Sequence, residues 1–534
     1  MKKKIYFSLV LSLFLVFGCE EKKENQFAEK LPYDSEIVLQ IDSISQFITN
    51  TGLSEKEFFG KPLTDEIFTG LGFQFFKLSE WKDNGIDVEN PAALIFQKIE
   101  IDKTSSESRL NIALAFPLTD KAKAVKKIVE LFLKKYPELK PETTDAMTTL
   151  TVEKTKIYLT EKNGYLYVVF GINQDAKDFF VSLNDNKSLK DNPSYTKIAS
   201  QINMNNGFSF YATISSILKT NQDLFDSSIF LELKKSLKEY EGIGFALELK
   251  NKDLTADSIF TLAENSKIME IIKKDGISRK ILLNVSENPL LFLVFGLNVK
   301  PYVDFAISFD EWTKKEYASF QEDFKKENGL DFEKDILEAL DGNIVLGMFD
   351  GASVNMTNYN SLFTLGLKDE TAFKKSFETL ISKLPENSKN MIVKENDFYN
   401  VNIMGLLQLK IGFKDSHFIV ATKNIFEKAI GSGSLLSKVN EKEVKKLIEN
   451  EETSLFYLSI DEAYKAAKNF QFFIQSALGG NGFEKETEDK IHQFESLYAF
   501  SKVVQNGIAG QFVIKTRFDG PFFASLSKMF ESKK

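Results

Sequence analysis

The chain has one cysteine, Cys19. Without a second thiol it can form no intrachain disulfide and no Cys-based zinc site. Histidine is almost as scarce. His417 and His492 cannot make a three-histidine metal centre or a His-Glu-x-x-His helix. Of the 68 basic residues only Arg109, Arg279 and Arg517 are arginine, and 76 acidic residues outnumber them all. Nucleic-acid binders need basic stripes, usually with arginine forks for phosphates and guanine edges. An acidic chain with almost no arginine argues against that class. The formal charge of −8 becomes −11 if Lys2, Lys3 and Lys4 are removed with a leader. A hydrophobic share of 43% and a charged share of 27% are globular values. At 534 residues the chain is too long for a single core and suits two or three domains.

What is present begins at the N-terminus. Lys2-Lys3-Lys4 precede an apolar run from Ile5 to Phe17, too short to span a bilayer comfortably. Val16-Phe17-Gly18-Cys19 follows and resembles the lipobox of bacterial lipoprotein signal peptides. That resemblance implies cleavage before Cys19 and acylation of its thiol, with residues 1–18 as signal peptide. An ordinary secretory leader with an incidental cysteine is the alternative. Several acyl chains hold a protein at a membrane far better than one. Residues 19–30 are polar without an apolar period, which predicts a flexible tether.

The remainder reads as one module used twice. Ala124–Glu138 matches Ala372–Glu386 almost position for position, 248 residues apart, and Asp120 and Asp369 precede the two copies. The offset is 244 for Gly85/Gly329 and Asp87/Asp331. It is 246 for Phe210/Phe456 and 252 for Tyr165/His417. Matches that stay collinear and drift only at loops predict tandem duplication. The expected fold is α+β, with two tandem pseudo-symmetric repeats over 31–275 and 276–534. Strict alternation within most strands predicts a mainly antiparallel sheet with packed helices in each. The opening strand of the second repeat is expected at Ile281, Leu283 and Val285, matching Ile37, Leu39 and Ile41. Two places break the symmetry. Leu290–Phe295 is more apolar than Ser45–Asn50, and Phe456 to Phe512 is about twenty residues longer than Phe210 to Phe245. The second break predicts an insertion near 466–495.

Candidate chemistry is sparse. Gly479-Gly480-Asn481-Gly482 lacks the preceding strand and the following Lys-Ser/Thr of a phosphate loop, and Gly431 to Ser434 follows a helix, where glycine usually terminates. His417 is expected half-exposed on a strand and His492 in a charged helix, neither with an identifiable nucleophile. Asp87, Asp120, Asp331 and Asp369 each precede a turn or helix start, where a carboxylate accepts from orphan N–H groups. Leu290–Phe295 and Phe470–Ile474 could line a groove for an acyl chain or peptide, or be core. No cofactor, metal or catalytic residue is predicted, and Cys19 is the only site residue.

Three features together carry a resemblance: the doubled module, the lipobox, and the Gly-[Ile/Leu]-Asp turn leading to Asp335–Leu346. With them the chain resembles large uncharacterised bacterial envelope lipoproteins of domain-of-unknown-function families. The first copy departs from the pattern, with Asn90-Pro91 where the second has Lys334-Asp335. The resemblance implies a lipid-anchored envelope protein, outer-membrane on its periplasmic or surface face, touching the membrane through Cys19 and binding a protein or lipid partner. A non-enzymatic binding or scaffold role is expected. A lipid or lipoprotein carrier with an apolar cavity, and an Asp/Glu-dependent hydrolase, are the alternatives.

Overall fold

The computed structural model describes residues 25–530, except 55–56, 59–60, 63–73, 75, 102–107, 153–154, 223–230, 274–276, 309–310, 356–357, 404–406, 451–453, 471–484 and 506. The chain is a mixed α+β protein with a large antiparallel sheet. The described residues fall into two compact units: 25–264 with 505–511 and 518–530, and 265–504 with 512–517.

In the first unit the strands run side by side as Leu254–Leu262, Tyr240–Glu248, Phe208–Thr213, Ile37–Ile41, Ala92–Ile101, Ser108–Pro117, Tyr165–Ile172, Thr155–Lys162, Met147–Val152 and Glu142–Thr143. In the second unit the order is Phe494–Val504, Ser454–Ser459, Pro289–Gly296, Leu340–Phe349, Ser361–Leu367, His417–Thr422, Leu407–Lys414, Phe398–Ile403 and Ile392–Glu395. Register ties the two orders together: Leu39 lies between Phe210 and Leu94, and Leu293 between Phe456 and Leu346. The expectation of one sheet per repeat is met only in part. All strands but Glu57–Phe58 and Lys61–Pro62 are assigned to a single 20-stranded sheet. Of the strand Gly507–Thr516, residues 507–511 fall in the first unit and 512–516 in the second.

The register corrects three expectations. Ile281 and Leu283 are helical, within Lys280–Leu283, and the central strand is Pro289–Gly296. A short apolar run fits either period, and the arbiter here is Pro289 at the strand start. Leu290–Phe295 is therefore the partner of Ile37–Ile41 and not of Ser45–Asn50. Phe292 and Val294 are wholly buried and the residues between them are half-buried, so the run is apolar because the strand is flanked on both sides. Ala499 faces Phe456 as Phe245 faces Phe210, so the second unit is eight residues longer there rather than about twenty. Residues 471–484, with Gly479 to Gly482, lie outside the described residues.

The expected tether also ends early. Gln26–Lys30 is a 3-10 helix with Phe27 and Ala28 buried, and its cap Asn25 bonds Gln40 at 3.1 Å and Tyr195 at 2.7 Å. Leu31 is buried and its carbonyl accepts from Leu189. Two apolar side chains and one cap suffice to seat the segment, although they show no helical period. The second unit has its own short helix ahead of its central strand, Lys280–Leu283, with Ile281, Leu282 and Val285 fully buried.

Each unit carries the strand–helix element recognised in the sequence. Lys121–Lys135 is capped by Asp120 and lays Ala124, Ile128 and Phe132 on a core with Leu114, Leu159 and Leu166. Glu370–Lys383 is capped by Asp369 and packs Phe373 and Phe377 against Phe413 and Phe418, with Phe377 edge-on to both rings at 5.9 and 5.2 Å.

A helix arriving from elsewhere in the chain finishes each unit. In the first, Phe522–Met529 lies on Ile44–Thr51, whose Ile44 and Ile48 are buried. Gly52 ends that helix at φ +78, and a Cβ there would stand 3.1 Å from the Ala524 Cα. Phe522 is buried and its N–H donates to Asn251 at 2.9 Å. In the second, Ile268–Ile271 meets Val299–Ile307, and Asn298 donates through its N–H to Ile271 and through its side chain to Glu270, both at 2.7 Å.

Candidate functional site

Two of the buried carboxylates, Glu36 and Glu462, each meet the backbone just after a left-handed residue. Ala92–Ile101 slips register between Gln97 and Glu100, with Lys98 at φ 50. A left-handed residue turns the next N–H off the ladder, and a buried N–H needs an acceptor. Ile99 N–H donates to Glu36 Oε2 at 2.7 Å, Ser216 Oγ donates to Glu36 Oε1 at 2.8 Å, and Asn221 Nδ2 donates to the Ile99 carbonyl at 2.6 Å. The second unit repeats the device at Asp350, also at φ 50. Gly351 N–H donates to Glu462 Oε2 at 2.9 Å, and Asn469 Nδ2 donates to the Ala352 and Val354 carbonyls. The carboxylate comes from a strand edge in one unit and from the Ile460–Asn469 helix in the other. Leu290 stands where the first unit has Glu36, and Ser216 where the second has Glu462. One-dimensional alignment cannot see a pair of exchanged positions that keep one acceptor in place.

Burial pushes the Glu36 carboxyl above its ordinary 4.5, despite the bonds from Ile99 and Ser216 that favour the charged form. A carboxyl raised in the folded state contributes fully below its unfolded value, and the contribution is lost as pH rises through the folded one. Glu36→Gln carries no such loss. The variant is therefore expected to gain stability relative to the parent between pH 4 and 7, read as urea midpoints at each pH. A constant difference across that range would remove titration from the account.

The sequence-predicted aspartates are not brought together; they serve local backbone. Asp120 accepts from Lys123 N–H, Asp369 from Ala372 N–H, Asp331 from Lys334 N–H, and Asp87 from Glu89 N–H. His417 is buried, not half-exposed as expected, and its Nδ1 lies 2.8 Å from the Asp415 carbonyl. His492 follows Lys485–Ile491 and lies 3.3 Å from Asp461 Oδ1, with its ring edge-on to Tyr464. Asp461 Oδ2 accepts from Arg517 at 2.8 Å, and Arg517 N–H donates to Gln493. This pair pins the strand Gly507–Thr516 just before the chain turns to its last helix. Cys19 lies outside the described residues. Among the described residues no group of three or more metal-ligating side chains occurs, and no helix is long and apolar enough to cross a membrane.

Two hollows have mixed lining. One of about 430 Å³ in the second unit is walled by Phe398 and Phe413 and rimmed by Glu370, Lys374, Asp397 and Lys414. Lys374 lies 5.7 Å over the Phe413 ring and 3.8 Å from Asp397. At the corresponding positions the first unit has Met147 and Glu161 instead of the two phenylalanines, with Lys121 reaching Glu161 at 3.9 Å. The hollow thus offers aromatic walls with both signs of charge only in the second unit. A smaller one of about 290 Å³ in the first unit lies beside the docked N-terminal segment, between Glu29, Lys30, Lys162, Asp185 and Lys187. Lys162 donates to the Leu183 carbonyl and Lys414 to that of Ile430, so both ammonium groups sit at a helix C-terminus, where the dipole favours them. Sequence reasoning missed this pair, although the two lysines stand at the 252-residue offset already noticed.

No family model and no curated protein matches the chain. Among solved structures it is similar to crystal form I of TP0453 at 9% identity, covering 45% of this chain and 80% of that one, with a TM-score of 0.24. Crystal form III of TP0453 matches at 8% identity, covering 45% and 81%, with a TM-score of 0.23. At these TM-scores the likeness carries no argument.

Proposed function

We propose that this chain is a lipid-anchored envelope protein, acylated at Cys19, that binds a ligand or partner and does not catalyse a reaction. The observation that carries the second half is the use made of the candidate acids. Asp87, Asp120, Asp331 and Asp369 accept from backbone N–H groups, Glu36 and Glu462 accept from the N–H after a left-handed residue, and Asp461 is held by Arg517. A hydrolase needs an acid and a base facing one substrate position, and each of these carboxylates is instead taken up by a backbone N–H or by Arg517. The aromatic and charged hollow of the second unit is the binding site in this reading. Its volume falls in the range of small-molecule sites. The anchor rests on the lipobox residues Val16 to Cys19.

The chain is also read as a tandem duplication. The same order of nine strands in the two units supports this, as do the left-handed residues Lys98 and Asp350 and the paired Lys162 and Lys414. The test is direct. The native protein is extracted from membranes, its N-terminal peptide is weighed, and bound lipid and protein are identified by mass spectrometry. The expected result is a diacylglyceryl mass on Cys19, and Cys19→Ser protein that leaves the membrane fraction. Unmodified Cys19 in membrane-bound protein would end the anchor. Stoichiometric co-purifying lipid would favour a carrier instead.

A further inference from the structure

We infer that one particular face of the first unit lies against the lipid headgroups: the face carrying the Gln26–Lys30 helix, Tyr33, Lys187 and Val181. The inference rests on the acylation of Cys19 proposed above. The order of the residues after Cys19 then bounds the geometry. Asn25 is buried and bonded to Gln40 and Tyr195, so the chain is seated on the unit from that residue onward. Six residue steps separate Cys19 from Asn25, and at full extension they reach about 20 Å. The acyl chains must stay in hydrocarbon, and the thiol therefore stays near the headgroups. The entry point at Asn25 is thereby confined to a thin layer over the membrane. A polar tether running to residue 30, as the sequence suggested, would have left the unit free to turn.

The surface around the entry point suits that layer. Phe27 packs 5.1 Å from the Tyr165 ring, and Tyr167 Oη donates to the Lys30 carbonyl, so the segment cannot lift without exposing Phe27. Beside it, Lys177–Leu183 presents Val181, 73% exposed and the most exposed large apolar side chain among the described residues. Lys187 lies 5.4 Å over the Tyr33 ring, an amphipathic pairing that sits well at headgroup level. Lys30, Lys162 and Lys187 face Glu29 and Asp185 around the adjacent hollow, so the charges nearly cancel. The partner is thus a zwitterionic lipid surface, held by the short tether and not by anionic headgroups.

The experiment uses the full acylated chain in phosphatidylcholine vesicles. Because acylation consumes the Cys19 thiol, a Val181→Cys or Lys252→Cys substitution supplies the one free thiol for an environment-sensitive dye. Lys252 is exposed in the turn before Leu254–Leu262 of the same unit, six strands from Tyr165–Ile172, or about 29 Å. Quenching by headgroup-labelled lipid is expected to be at least about two-fold stronger at 181 than at 252, and unchanged by high salt. Inserting twenty Gly/Ser residues between Glu21 and Lys22 is expected to abolish the difference. Equal quenching at the two positions of acylated protein, or a difference that persists with the long insert, would overturn the inference and leave the anchor intact. A missing acyl mass on Cys19 would instead remove the reading on which it stands.

Discussion

Deleting residues 518–534 is expected to loosen a helix more than 460 residues earlier in the chain. Phe522–Met529 lies on Ile44–Thr51 at the close Gly52–Ala524 approach, and Phe518 and Phe522 are both buried. Truncating one buried phenylalanine costs about 3–5 kcal/mol, through lost transfer energy and the cavity left behind. Phe522→Ala should therefore raise hydrogen exchange across Ile44–Thr51 by two orders of magnitude or more, and the full deletion should abolish protection there. The mirror experiment acts on the other unit. Ile268→Ala and Ile271→Ala remove side chains beneath Val299–Ile307 and should speed exchange in that helix by a similar factor, with Ile44–Thr51 unaffected. Protection at Ile44–Thr51 that survives the deletion would contradict the packing, as would protection lost from Val299–Ile307 in its place.

The second large effect separates two glycines that look identical in sequence. Gly85 and Gly329 open the same Gly-[Ile/Leu]-Asp turn, and both adopt a left-handed backbone, at φ +81 and +73. Around Gly85 there is no room. A Cβ would stand 2.3 Å from the Asp120 carbonyl oxygen, the acceptor for Ala124 N–H in the first turn of Lys121–Lys135. Nothing lies within 4 Å of a Cβ at Gly329. The left-handed conformation costs a substituted residue about 1–2 kcal/mol. Forcing atoms into a packed site adds about 1–3 kcal/mol more. Gly329→Ala should thus cost about 1–2 kcal/mol, and Gly85→Ala about 2–5 kcal/mol with loss of the Asp120 cap. Urea unfolding of the two variants beside the parent measures the gap, and equal losses would show that the Asp120 carbonyl moves aside freely.

These predictions also mark what one dimension can hold. The repeated strand–helix element was legible because its helix needs a 3.6-residue apolar period and an N-cap, and both leave traces at Asp120 and Asp369. The four aspartates were read as backbone acceptors for the same local reason. What was missed depends on partners distant in the chain. Ile281, Leu283 and Val285 alternate like a strand, yet only pairing to Leu340–Phe349 and Ser454–Ser459 shows that Pro289–Gly296 fills the place. Asn25, Phe27 and Leu31 have no periodic neighbours, and their partners are Tyr195, Tyr165 and Leu189, more than 130 residues away. The clamp after the left-handed residues was hidden twice over. Its carboxylate moves between residue positions 36 and 462 in the two units, and no alignment column holds it. His417 was misjudged from Tyr165, whose phenolic end tolerates a partly wet strand position that the imidazole does not share.

The seating of the last helix on the first unit bears on how the protein is made. A polypeptide leaves the ribosome, and threads through an export channel, with its amino end leading, and domains ordinarily finish in that order. Here the leading unit stays incomplete until Phe522 emerges, because Phe522–Met529 belongs to it and packs on Ile44–Thr51, whereas residues 265–504 and 512–517 are all in hand earlier. The trailing half can therefore reach its final state first. The leading half must wait, with the side of Ile44–Thr51 that receives Phe522–Met529 uncovered until the end of the chain arrives.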